Sequence, residues 1–477
     1  MSSSKKRQIS RRQFLGEAPC AALGSTALFS SLLSLKMTNA AAAASAPTIS
    51  TDDDYKALVC VFLAGGNDSY NMLLPRNQEA YNSYAANRAN LKLDLYQEDG
   101  ETYNILPITS TGQEYSEFGL HPRLGEMQTL YNDEELAFIA NVGTLIQPTT
   151  MSDYRARRYR PKGLFSHSDQ QDHWQTCLPQ VRGASPGGWG GRASELLASF
   201  NEGSKISMNI SVSGLNTFQT GEEAFAFVAG NDGGADMIAY QDPFEKAAVN
   251  SLLTENYKNL FQKNFGRNSA RFIESSIAFN EGFDNATVTT RFPNTNTGDK
   301  FKTIARTIAA HDALKMRRQT FFVRIGGWDH HADLLSKQNT MLPDLSQSLL
   351  AFSNALRDLG LSDNVLTFSV SDFGRTLSSN DAGSDHGWGG NAFVMGGPVS
   401  GGKIYGTYPD LRTNGPLDTG RGRQIPTTSV DEYCSEIARW FGVANGDLET
   451  VFPNIQNFYD PYSLTPPIGF LKSEGSV

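Results

Sequence analysis

Ala57-Leu58-Val59-Cys60-Val61-Phe62-Leu63-Ala64, followed at once by Gly65-Gly66-Asn67-Asp68, is the stretch on which the fold turns. The run has no polar alternation, as expected of a strand covered on both faces in a parallel sheet flanked by helices. Its glycines let the backbone turn sharply at the strand end and leave an aspartate just beyond it. The arrangement recurs twice. Thr320–Ile325 leads into Gly326-Gly327-Trp328-Asp329-His330-His331, and Val365–Val370 into Ser371-Asp372-Phe373-Gly374-Arg375. Leu136–Val142 and Ala392–Met395 read as further buried strands. Helices lie between them. In Leu342–Leu359, Leu345, Leu349, Phe352 and Leu356 form one stripe ending at Gly360, and Ser429-Val430-Asp431-Glu432 is a capping box opening a helix through Trp440. This alternation predicts an α/β fold, a doubly wound, mostly parallel sheet with helices on both faces.

Residues 1–46 stand apart. A basic start, Ser10-Arg11-Arg12-Gln13-Phe14-Leu15, an apolar stretch and small residues read as a twin-arginine export signal. The expected location is the periplasm or the exterior, with the twin-arginine export machinery as a partner and no stable transmembrane anchor in the mature chain. The full chain of 477 residues carries −9. Residues 1–46 hold six bases and one acid, so the remainder carries −14. Such an acidic chain has no cationic excess for phosphate backbones, which argues against nucleic acid. Of four cysteines, Cys60, Cys177 and Cys434 lie beyond the signal; they allow at most one internal disulfide, and no CxxC pair offers a zinc or redox site. After a linker over 47–55, residues 56–477 are expected to form one domain. From about 205 to 300 the rhythm breaks: Ile206, Met208, Ile210 and Val212 alternate with polar residues, which suggests an inserted hairpin or lid.

The chemistry is expected where the strands end. In a parallel sheet all carboxyl ends share one edge, so Asp68, Asp329 and Asp372 can converge although distant in sequence. Singly, each is an ordinary cap or turn residue. Together with His330-His331 and the later pair Asp385-His386 they suit a divalent ion: zinc, manganese or iron for a mixed Asp/His set, magnesium or calcium for carboxylates alone. One or two ions are expected. Ser166, in Gly163-Leu164-Phe165-Ser166-His167-Ser168-Asp169, is a candidate nucleophile at a helix N-terminus, or a plain cap through Ser166-x-x-Asp169. Arg155, Arg157, Arg158, Arg160 and Lys162 form the one dense basic cluster; Arg158, with His167 and Arg375, is a candidate for holding an anionic group.

Seven blocks in order, AGGNDSYNMLLP at 64–75, HPRLGEMQTLY at 121–131, FSHSDQQDHWQT at 165–176, GGWGGR at 187–192, GGWDHHADL at 326–334, SDFGRTLSSN at 371–380 and DHGWGGNAFVMGG at 385–397, resemble the exported bacterial family catalogued as domain of unknown function 1501. The family is grouped with the alkaline phosphatase and sulfatase superfamily. That resemblance implies two divalent metals and a serine, threonine or formylglycine nucleophile on the carboxyl edge. Carried over, Asp68 resembles a first-strand ligand, Ser166 the nucleophile, Asp329 and His331 the ligands of one metal, Asp372 a later ligand, and His386 the late histidine, which can also act as acid or base. Three departures stand out. Phe373 follows Asp372 where the superfamily usually has histidine, Asp329 and His331 are closely spaced, and Ser166 lacks the cysteine-containing sulfatase motif. The resemblance implies a metal-dependent hydrolase of phosphate or sulfate esters, using a serine or a metal-activated water on an anionic ester or glycan. The alternative is a non-catalytic envelope protein that binds carbohydrate or protein.

Overall fold

The computed structural model describes residues 55–472 except 98–99, 101–103, 184–186, 232, 235–241 and 256. The expected export signal and most of the expected linker therefore lie outside the described residues. In chain order the first strands are β1 (Lys56–Leu63), β2 (Leu73–Pro75), β3 (Leu106–Thr109), β4 (Glu117–Leu120), β5 (Leu136–Gly143), β6 (Asn209–Ser211) and β7 (Phe227–Val228). The rest are β8 (Arg318–Ile325), β9 (Val365–Ser371), β10 (Arg375–Ser379), β11 (Ser384–His386), β12 (Gly390–Met395), β13 (Ile404–Tyr405) and β14 (Thr428–Ser429).

Nine of these strands form the central sheet in the order β13-β5-β12-β9-β1-β8-β6-β7, with β14 also on β5. β1 pairs in parallel with β8, Leu63 opposite Ile325, and with β9, Leu63 opposite Ser371. Only β12 runs against its neighbours β5 and β9. The sheet is thus mostly parallel, as its unbroken apolar runs require. Ala57, Val59, Val61 and Leu63 of β1 enter one core cluster, whereas Leu58, Cys60, Phe62 and Ala64 enter a second. The first holds the inward stripes of the helices Asn296–Ala309 and Leu334–Asp358, through Phe301, Ile304, Leu345, Leu349 and Phe352. The second holds Tyr433, Cys434 and Ile437 of the helix Val430–Phe441, whose expected capping box is formed. Losing one such leucine would cost about 2–5 kcal/mol. Cys60, Cys177 and Cys434 are all free and buried, and burial pushes each thiol up, so none is poised as a thiolate.

Among the described residues of 205–300 the alternating strand does not pair as the expected hairpin. β6 and β7 pair in parallel, Ile210 opposite Phe227, and extend the central sheet beyond β8. Alternation correctly marked a strand, but a period of two is the same whether the partner is antiparallel or parallel. Two helices, Pro243–Leu253 and Leu260–Asn285, make up much of the remainder.

Candidate metal centre

Parallel β1, β8 and β9 deliver their following loops to one edge of the sheet. The Asp385-His386 segment precedes β12 and would fall at the opposite edge if β12 were parallel. Because β12 is reversed, its entry lies beside the exits of its neighbours. The antiparallel ribbon β10–β11, with Arg375 opposite His386, carries the chain from the end of β9 to that entry. His167 arrives from a third direction, as the first residue of the helix His167–Thr176.

Ligand atoms of His167, Asp329 and His386 all lie within 4.8 Å of one another. Each histidine is held through its Nδ1. His167 Nδ1 is 2.6 Å from Asp372 Oδ2, and His386 Nδ1 is 2.7 Å from the Phe165 carbonyl. His331, beside the trio, has Nδ1 2.9 Å from Asp385 Oδ1. A carbonyl or carboxylate can only accept, so each Nδ1 carries a proton and each Nε2 faces inward. His167 Nε2 is buried without a hydrogen-bond partner and lies 3.4 Å from Asp329 Oδ2. His331 Nε2 is 3.0 Å from Asp329 Oδ1 and 2.9 Å from His386 Nε2. Two neutral rings so oriented would oppose lone pairs; the geometry requires a proton on His331 Nε2 or a cation between the rings.

The electrostatics favour ligand-competent forms. Burial is the largest effect on His386 and holds its ring below the ordinary histidine value, partly opposed by the Phe165 carbonyl. Burial would raise Asp329, but the Arg375 bond and charge, with His331 and His167, outweigh it and keep the carboxyl below its usual range. Asp385 is likewise disfavoured by burial yet pulled down to about 2 by Asn380, Arg421 and His331. Phe165 adopts a φ of 74°, a strained conformation for a bulky residue, and its carbonyl meets His386 from there. A carboxylate and two imidazoles, the rings anchored at Nδ1 and one Nε2 orphaned, fit a divalent ion that accepts mixed nitrogen and oxygen ligands.

The other acids expected as ligands are engaged by protein donors, Asp372 at both oxygens and Asp68 at Oδ2 alone, its buried Oδ1 having no hydrogen-bond partner among the described residues. Asp372, fully buried, accepts from the Gly65 amide at 3.0 Å, Gln171 at 2.8 Å and His167. It therefore sits behind His167 and orients it. Asp68, also fully buried, is paired with Arg88 at 2.7 Å and bonded to Ser384 Oγ at 2.9 Å. Ser384 in turn holds Arg375 Nε at 3.1 Å, and Arg375 reaches Asp329 Oδ1 at 2.6 Å. Arg375 also donates to the Gly65 and Ser384 carbonyls. Its guanidinium, expected to hold substrate, is instead buried and committed to the protein. Where the first and later acids were expected to meet metal, the chain supplies its own cation or ring. Phe373 packs against His167 and His386, with ring centroids 4.9 and 4.7 Å apart, and a cavity lined by Asn67, Ser69, Ser371 and Asn391 lies against it.

Ser166 is the N-cap residue of this helix without a side-chain capping bond; its hydroxyl lies 3.3 Å from Ser168 Oγ and helps hold the Asp169 carboxyl low, and no bond joins it to the Asp–His cluster among the described residues. Arg158 is more than half exposed and paired with Asp153 at 2.8 Å, away from the trio's contacts. Asp385, expected with His386 among the metal-binding acids, instead steadies His331, and Arg88 emerges only in three dimensions. Asp385 had a signal, its place beside His386, whereas nothing around Arg88 marks it as the counter-ion of an acid twenty residues earlier.

An edge-loop Asp–His centre on a mostly parallel sheet is what the chain presents. The chain belongs to the family described as "Protein of unknown function (DUF1501)", whose model matches residues 55–419. No curated protein matches it. Among solved structures it is similar to the lipoteichoic acid synthase LtaP from Listeria monocytogenes, at 9% identity over 85% of this chain and 78% of that one, TM-score 0.33. It is also similar to PsFucS1 sulfatase from Pseudoalteromonas sp., at 12% identity over 82% and 68%, TM-score 0.31. A third is alkaline phosphatase from the Antarctic bacterium TAB5, at 11% identity over 74% and 94%, TM-score 0.22.

Proposed function

We propose that this protein is an exported metal-dependent hydrolase of phosphate or sulfate esters, with one divalent ion held by His167, Asp329 and His386. The observation that carries the reading is the convergence on Asp329 of imidazole Nε2 atoms whose Nδ1 atoms are already committed, one of them buried with no partner. The ester class follows from the family resemblance in the motifs. A bound divalent ion supplies Lewis acidity, drawing charge from a phosphoryl or sulfuryl oxygen and easing the deprotonation of water.

The chain's own residues divide the remaining work. Asp372 and the Phe165 carbonyl fix the tautomers and directions of His167 and His386. Arg375 orients Asp329 and offsets its charge, leaving Oδ2 toward His167. His331, half-exposed and steadied by Asp385, is placed to give a proton from Nε2 to a leaving group. Water is the preferred nucleophile, because the Ser166 hydroxyl is turned to Ser168 and Asp169. Metal analysis of the purified protein, followed by a panel of phosphate mono- and diesters and sulfates, tests the reading. One ion per chain and turnover lost in Asp329→Asn support it; a chain that binds no divalent ion overturns it.

A second reading, a non-catalytic envelope protein that binds carbohydrate or protein, is favoured by Phe373, which covers one flank of both imidazoles. It predicts one bound ion and no turnover on any ester.

A further inference from the structure

The turn Asp418-Thr419-Gly420-Arg421-Gly422-Arg423-Gln424 lies beside the metal centre and takes no part in holding the ion. Asp418 and Gln424 pair as an antiparallel bridge, and Asp418 Oδ1 accepts from the Gly420 amide at 2.7 Å and the Gly422 amide at 2.8 Å. Three successive residues at the tip have positive φ, Gly420 at 115°, Arg421 at 63° and Gly422 at 72°. Glycine enters that region freely, whereas arginine is strained there. Gly422 has no space for a larger residue either, since a Cβ would meet the Leu377 side chain at 2.4 Å. The surrounding structure thus holds Arg421 in a conformation it would not choose, and so fixes where its side chain starts.

Both arginines of the turn reach the histidines of the centre from the outside. Arg421 Nη1 donates to Asp385 Oδ2 at 2.5 Å, and Asp385 Oδ1 meets His331 Nδ1. Arg423 Nε donates to the His386 carbonyl at 2.8 Å, and its guanidinium lies 5.0 Å from the ring centroid of Phe165, the residue whose carbonyl meets His386 Nδ1. The Nε2 atoms of His331 and His386 face each other on the inner side. Arg421 and Arg423 therefore stand behind these rings and flank the ion's position rather than enter it. The Arg421 side chain is 42% exposed, like His331 at 43% and Asp329 at 41%, so the contact chain Arg421–Asp385–His331–Asp329 opens along one front. Each guanidinium donates a single side-chain hydrogen bond among the described residues, which leaves N–H groups to spare on both. Arg375, by contrast, is buried and committed. Spare planar forks beside one another, with like charges that oppose each other, suit the oxygens of a phosphate or sulfate group.

We propose that Arg421 and Arg423 form a second anion subsite, across His331 from the ion, that takes a phosphate or sulfate group on the leaving-group portion of the substrate. The substrate class is then a polyanion, a small molecule or glycan with at least two such groups. Placement on the leaving-group side rests on the hydrolase reading and on His331 as its proton donor; the anion site itself does not. Calorimetry on the full chain after chelator treatment tests the site, with inositol hexakisphosphate as the phosphate probe and sucrose octasulfate as the sulfate probe. The metal-free parent should bind at least one of them, and the tighter of the two tells which group is preferred. R421Q should bind about tenfold less tightly and R421Q/R423Q about 100-fold less, while R421K recovers part of the loss. R158Q, which removes an arginine of the dense basic cluster, should bind like the parent. R421Q alters an exposed side chain and keeps the Arg423 bond to His386, so its thermal unfolding should match the parent's. On the metal-loaded chain, R421Q should raise KM about tenfold more for fructose 1,6-bisphosphate or a disulfated disaccharide than for p-nitrophenyl phosphate or sulfate. A metal-free parent that binds neither probe, equal losses in R421Q and R158Q, or equal changes of KM for one and two anionic groups would each overturn the proposal. Arg421-dependent binding without turnover of any ester would keep the subsite and remove the hydrolase reading.

Discussion

Two loops of the same Gly-Gly-x-Asp pattern end neighbouring strands of this molecule and meet opposite fates. Gly65-Gly66-Asn67-Asp68 follows β1, and Gly326-Gly327-Trp328-Asp329 follows β8, which pairs with β1 in parallel. Asp68 is wholly buried, tied to an equally buried arginine, and serves as N-cap residue of the short helix Ser69–Met72. Asp329 has a side chain 41% exposed and faces three imidazoles and a guanidinium. The identical Gly-Gly-x-Asp pattern delivers an acid to the edge but does not determine its chemistry. Both acids meet a buried arginine, and what separates them is the rest of their surroundings: Asp68 is sealed in with Arg88, whereas Asp329 stays partly open and is ringed by imidazole nitrogens that leave it able to share an exchangeable ion.

The contrast is broken most directly at the acids themselves. Asp329→Asn should lower divalent-metal affinity by at least about 100-fold, more than loss of a residue that only supports a ligand, while Asp68→Asn keeps the ion. Elemental analysis after dialysis against a weak chelator reads both; if Asp68→Asn strips the metal as fully as Asp329→Asn, the two loops do the same work. Next in size, Arg88→Met leaves the Asp68 carboxylate buried and unpaired and should cost about 3–5 kcal/mol in urea unfolding. The double variant Asp68→Asn/Arg88→Met should recover most of that loss, and an additive double would show that the pair is not coupled. Asp372→Asn, one step behind the open site, should weaken metal binding by about 10–100-fold with the fold retained, as measured by chelator competition.

The smallest effect concerns His330, which sits on the second loop yet feels the first. Burial lowers its ring to about 4, against a smaller upward pull from Asp68. Between about 6.5 and about 4 the unfolded chain therefore binds more protons at this site than the folded one. Its contribution to stability is complete above the upper value and declines as the pH falls through that window. A His330→Asn variant should show a shallower loss of melting temperature across it; an unchanged slope would place the titration elsewhere.

Much of this architecture was legible because burial on both faces leaves a plain mark. The apolar runs at 57–64, 136–142, 320–325, 365–370 and 392–395 all became strands of the central sheet. Partner and direction are another matter. Nothing in Ala392–Met395 says that it runs backwards, and the alternation at 206–212 is equal evidence for a hairpin and for the parallel strand between β8 and β7 that it proved to be. In the site, Asp329 and His386 could be selected as acid and imidazole in glycine-rich edge loops. His167, read as a substrate contact, joins the trio because Asp372 turns its ring, a dependence between residues 205 positions apart. Arg88 and Ser384 could not be singled out, since an arginine in a polar helix and a serine in a loop are ordinary until the fold closes around them.

The reversed strand β12 has a consequence for when the site comes into being. His167, Asp329 and His386 meet only after the chain has left β9, doubled back along the β10–β11 ribbon and inserted Gly390–Met395 between β9 and β5. No piece that ends before His386 contains the ligand set, so ion capture can only follow synthesis of the chain through β9 and the β10–β11 ribbon. If residues 1–46 send the chain across a membrane already folded, the metal pool that matters is the one on the side where it was made.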